Sequence, residues 1–134
     1  MSVRINHLAA WVAAIAYFIF GAVWYGALSG PWQFYMGGKG APSTPALYIE
    51  SFLLGLVLAY ATAVALARRP EDQTLRQGVR FGIFIGIAVF ASQTLNEALY
   101  EGRPFGLWLI DAGFVVIGFA IIGAIVGGWR KRSA

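Results

Sequence analysis

Four long apolar runs divide the 134-residue chain. They extend from about Ile5 to Leu28, about Ala46 to Ala67, about Gly78 to Tyr100 and about Phe105 to Trp129. Each holds roughly 20 residues or more, which at about 1.5 Å per residue matches the ~30 Å hydrocarbon core of a bilayer. Period-two alternation is absent from them, which argues against a transmembrane β-barrel. Inside lipid a backbone must satisfy its own hydrogen bonds, so each run is predicted to be a helix. The composition agrees. It is 59% hydrophobic and 12% charged, whereas soluble domains carry about 25% charged residues. So short a chain cannot hide that much apolar surface in a water-soluble core. The expected fold is all-α: one integral membrane domain over residues 1–134, built as a four-transmembrane-helix bundle.

Local signals bound the runs. Ser43-Thr44-Pro45 offers an N-cap followed by proline in the first helical turn. Arg68-Arg69-Pro70 closes the second run with cations and a proline, and Gly102-Arg103-Pro104 makes a tight link between the third and fourth. Between the first two runs, Ser29 to Thr44 holds Gly30, Pro31, Gly37, Gly38, Gly40 and Pro42 alongside Trp32, Phe34 and Tyr35. It is expected to be a loop lying on the membrane interface. The first run has Arg4 before it and Ala27-Leu28-Ser29 at its end, the outline of a signal peptide. Its apolar core is about twice the usual 7–15 residues, so a retained helix is expected.

The basic residues set the orientation. Arg4, Arg68, Arg69, Arg76, Arg80, Arg130, Lys131 and Arg132 fall on one side of such a bundle, and Lys39 and Arg103 on the other. Eight against two places both termini in the cytoplasm. The pI near 9.8 then reflects topology rather than nucleic-acid binding, because no soluble domain presents these charges. The bilayer is the expected partner.

Small residues recur at every fourth position: Gly55, Ala59, Ala63 and Ala67; Gly78, Gly82 and Gly86; Gly123 and Gly127; Ala9 with Ala13 and Ala10 with Ala14. In lipid there is little hydrophobic drive between helices, and small residues let backbones approach closely. These stripes predict tight packing, within the chain or in a homo-oligomer. On the first helix, His7, Trp11, Ala14, Phe18, Gly21 and Tyr25 share a face at the 3.6 period. Bundle packing and the wall of a ligand groove both account for that stripe.

Carboxylates inside a bilayer are costly and mark places of interest. Glu50, Glu97 and Asp111 all fall toward the extracytoplasmic side. Glu97 and Gln93 continue the Gly82/Gly86 face, so they are expected to point at another helix. Tyr25, Gln93, Asn96, Glu97 and Asp111 form a candidate polar cluster in the outer half, with Trp24 beside it and Arg103 as the nearby cation. Three readings stay open: a structural lock through Arg103 or Tyr25, a shared-proton or cation site, and carboxylates resting in headgroups. Catalysis finds less support. The chain has no cysteine and a single histidine, His7, which removes thiolate chemistry, Cys-ligated metals and histidine-only zinc sites. His7 lies across the membrane from the carboxylates, and no nucleophile elbow, phosphate loop or dinucleotide fingerprint occurs. No catalytic, metal-binding or cofactor-binding residue is assigned, no cofactor is implied, and a non-enzymatic component is expected. A carrier or ligand binder using the outer carboxylates is the alternative.

Two motifs carry a family resemblance. The first helix ends Phe20-Gly21-Ala22-Val23-Trp24-Tyr25. The fourth contains Asp111-Ala112-Gly113-Phe114, then Gly123-Ala124-Ile125-Val126-Gly127-Gly128-Trp129. This resembles the bacterial membrane family called domain of unknown function 1761, with its Gly-x-x-Trp-Tyr and Gly-x-x-x-Gly-Trp signatures. Phe114 stands where tyrosine is common and Gly26 where proline is common. The resemblance implies a four-helix integral protein of the bacterial inner membrane, with no known activity.

Overall fold

The computed structural model describes residues 5–40, 44–69, 71 and 73–129. Ser43, Pro70, Arg4 and Arg130, Lys131 and Arg132 lie outside them. The described chain is helical, without strands: α1 His7–Ala27, α2 Ser29–Met36, α3 Pro45–Ala67, α4 Leu75–Ile85, a π-helical segment Gly86–Ala91, α5 Ser92–Glu101 and α6 Phe105–Gly128. Segment α4, the π turn and α5 form one continuous rod. Four helices, α1, α3, this rod and α6, are long and apolar enough to cross a membrane.

Three of the helix starts are capped by a side chain. The Asn6 side chain accepts a hydrogen bond from the Ala9 amide and Thr44 from Leu47, with Pro45 in the first turn of α3. Thr74 accepts from the Gln77 amide, so α4 begins at Leu75 rather than near Gly78. Thr74-x-x-Gln77 is the spacing of a capping box. The link between α5 and α6 is a Schellman turn. Gly102 sits at φ 67°, and the Arg103 amide donates back to the Ala98 carbonyl at 2.9 Å. The expected interfacial loop is partly a helix. Residues Ser29–Met36 form α2, because Pro31 in a first turn costs no helical hydrogen bond and Gly37, at φ 59°, caps the end.

The bundle is organised around α6, which touches α1, α2, α3 and the α4–α5 rod. On one flank, Gly78, Gly82 and Gly86 of the rod meet Gly123, Phe119 and Val116 of α6 backbone to backbone. A Cβ at Gly78 or Gly123 would overlap the other's carbonyl oxygen, and one at Gly127 would stand 2.6 Å from the Thr74 carbonyl. On the other flank, Ala10, Ala13 and Ala14 of α1, Ala59 and Ala63 of α3, and Ile122 and Val126 of α6 form the buried core. Gly55 receives the ring of Tyr17. Most of the small-residue stripes are thus packed inside one chain. The outward faces carry exposed apolar residues such as Ile19, Val23, Leu54 and Phe84, as helix surfaces in lipid require.

The expected stripe on α1 divides. His7, Trp11 and Phe18 pack on Tyr60, Phe52 and Tyr48 of α3, while Tyr25 turns to α6. The first part is therefore bundle packing rather than a groove wall.

A test follows from the α4–α6 contact. Gly123→Ala and Gly82→Leu should each destabilise the protein by about 2 kcal/mol or more, since neither backbone can yield to a new side chain. Gly26→Ala should be neutral, because nothing lies within 4 Å of its added Cβ. Unfolding in detergent by a denaturant series measures all three. Equal stabilities would contradict the packing described.

Candidate functional site

The polar residues meet at the end of the bundle opposite Asn6, Thr74 and Trp129. Consecutive side chains at the end of α1 reach consecutive residues of α6. The Trp24 indole Nε1 donates to the Ile110 carbonyl at 3.0 Å, and the Tyr25 hydroxyl donates to Asp111 Oδ1 at 2.7 Å. Gly113 makes this possible: a Cβ there would lie 2.8 Å from the Trp24 ring. Phe114 anchors the surrounding aromatic cluster, with ring centroids 4.9 Å from Tyr17, 5.2 Å from Tyr25 and 5.8 Å from Phe20. Trp32 of α2 crosses Tyr25 edge-on at 6.4 Å. Gly106 is covered by the Tyr35 ring, which seats α2 on the start of α6.

The π turn decides where the other candidates fall. A straight helix would carry the Gly82/Gly86 face on to Gln93 and Glu97. One extra residue in the turn rotates everything after it by roughly 100°. The buried positions after Gly86 are Ala91 and Ala98, and Gln93, Asn96 and Glu97 are exposed. Gln93 and Asn96 therefore do not join Asp111. The turn is held by side chains: Ala91 O accepts from Trp108 Nε1 at 3.1 Å and from Thr94 Oγ1 at 3.1 Å, while Thr94 Oγ1 also donates to Phe90 O at 2.8 Å.

Glu97 still reaches the same space as Asp111. Both line a pocket of about 70 Å³ between α5 and α6, together with Thr94, Arg103 and Trp108. Arg103 forms an ion pair with Glu101. A pocket for an organic ligand is typically about 300–1,000 Å³, so this one has room for a small cation or a few waters. Glu50 is exposed on α3. His7 lies at the other end, with Nδ1 2.9 Å from the Tyr60 hydroxyl. Among the described residues, no three His, Cys, Asp or Glu side chains converge as a metal site.

Sequence reasoning passed over Trp108, Thr94 and Phe114 as contributors. A buried tryptophan needs a partner for its N–H. Trp108, one turn from Asp111, therefore carried a usable signal. The π turn itself had none.

Residues 8–127 match the family described as "Protein of unknown function (DUF1761)", and the chain belongs to it. No curated protein and no solved structure was found to match.

The Tyr25–Asp111 bond makes a measurable prediction. In a double-mutant cycle of Tyr25→Phe and Asp111→Ala, the coupling should be about 1 kcal/mol, the scale of interhelical hydrogen bonds in lipid. Strictly additive losses would show that the two groups do not interact.

Proposed function

We propose that this member of the DUF1761 family is a non-enzymatic component of the bacterial inner membrane, with both termini cytoplasmic. One observation carries the reading: the buried polar side chains within the spans bond to the chain's own helices. Tyr25, Trp24 and Trp108 all close on a neighbouring helix. No buried side-chain nitrogen or oxygen among the described residues lacks a partner. Polar groups used this way lock a bundle rather than await a substrate. His7 lies at the opposite end of the bundle from Asp111, so the two cannot act as a histidine–carboxylate pair. Any protein partner docks through the outer faces, since most of the small-residue faces are packed.

A second reading has its own support. Glu97 and Asp111 line one small pocket, the arrangement a proton- or cation-linked carrier uses. Its volume favours a small cation over a hydrophobic ligand.

Sealed vesicles containing the protein and a pH-sensitive dye separate the two. The structural reading expects proton flux equal to that of empty vesicles under imposed sodium, potassium or proton gradients. The carrier reading expects flux above that level, lowered at least about tenfold in Asp111→Asn if the carboxylate carries the charge. Orientation is tested in cells with a reporter fused after Ala134, which should be active only in the cytoplasm. A reporter active outside contradicts the topology.

A further inference from the structure

One face of the α4–α5 rod is neither packed nor purely apolar. Arg76 and Arg80 are exposed one turn apart, and the same stripe continues through Phe84, 64% exposed, and Ile87, 55% exposed. Offsets of four and eight residues keep Arg76, Arg80 and Phe84 in line on α4, and Ile87 follows as the π turn begins. The opposite face, Gly78/Gly82/Gly86, is occupied by α6, and α3 makes no extended contact with α4. Among the described residues, no protein surface covers the stripe.

Neither arginine makes a hydrogen bond or ion pair among the described residues. Arg80 lies six residues past the Thr74 cap, about 9 Å along the helix. A guanidinium at that depth in a membrane needs an anion, and its fork suits phosphate oxygens. Two forks one turn apart, followed by an apolar track along the helix, have the layout of a phospholipid: a headgroup first, then a chain.

We propose that Arg76, Arg80, Phe84 and Ile87 form a seat for one anionic phospholipid. The two guanidinium groups take the phosphate, and an acyl chain runs along Phe84 and Ile87. The seat stands independently of the Asp111 pocket and of either reading of it.

Native mass spectrometry of the full chain in mild detergent tests this, with dioleoyl phosphatidylglycerol, dioleoyl phosphatidylcholine and inorganic phosphate as probes. Phosphatidylglycerol should be retained about thirtyfold better than phosphatidylcholine, given about 1 kcal/mol for each of the two basic groups near an anionic surface. Arg76→Gln/Arg80→Gln should reduce its retention to the phosphatidylcholine level, and Arg80→Gln alone should give an intermediate value. Arg68→Gln, at the same end but off the stripe, should leave it unchanged. Both stripe arginines are exposed, so circular dichroism of the variants should match the parent. Undiminished phosphatidylglycerol in the double variant would overturn the proposal. So would an equal loss in Arg68→Gln, or displacement of the lipid by inorganic phosphate at equal concentration.

Discussion

Backbone contact between the α4–α5 rod and α6 is the constraint on which the rest of this structure depends. Water drives helices together by expelling apolar surface, but lipid does not. Dispersion and close approach must serve instead. Gly78, Gly82, Gly123 and Gly127 remove the side chains that would hold the rods apart. The contact is costly in one respect, because the rod meets little else. In turn α6 is left free to present its remaining faces to α1, α2 and α3. Its glycines are divided accordingly. Gly123 and Gly127 receive the backbone of α4, while Gly106, Gly113 and Gly118 receive the rings of Tyr35, Trp24 and Tyr17.

The polar chemistry follows the same economy. A donor or acceptor stranded in hydrocarbon is expensive, so Trp24, Tyr25 and Trp108 cross to a neighbouring helix, while Thr62, Ser92 and Thr94 bond carbonyls of their own. Trp24 and Tyr25 fasten α1 to α6, and Trp108 fastens α6 to the π turn. Asn6 donates to the Trp129 carbonyl at 3.2 Å, tying the start of α1 to the far end of α6. Asp111 and Glu97 then face one small pocket, with Trp108 and Thr94 serving both that pocket and the turn beside it. The π turn rotates Gln93, Asn96 and Glu97 off the packed face, and Glu97 alone of the three still reaches the pocket's edge.

Much of the bundle was legible in the sequence, for physical reasons. A bilayer imposes span length directly, and glycine at every fourth position has one obvious use in lipid. The Gly-x-x-Trp-Tyr end of α1 and the Asp-x-Gly segment of α6 were legible as motifs, and the fold brings Trp24, Tyr25, Asp111 and Gly113 together. The π turn was not legible. No residue type marks it, yet one inserted residue turned Gln93 and Asn96 outward. Helix α2 was hidden because Gly30, Pro31 and the glycines that follow it read as loop, although Pro31 stands where a helix tolerates it. The capping role of Thr74 was present in Thr74-x-x-Gln77, but the apolar run drew the boundary later.

The central claim is that α4 folds onto α6 within a single chain. A Cβ built at Gly128 lies 3.3 Å from the Cβ of Leu75, near the ~3.8 Å that a disulfide spans. Oxidation of a Leu75→Cys/Gly128→Cys variant, in membranes and again after dilution, tests that claim most directly. An intramolecular disulfide is expected: a monomer on a non-reducing gel, lighter by about two mass units, formed at a rate independent of protein concentration. Dimers that disappear on dilution, or two cysteines that both stay free, would contradict it.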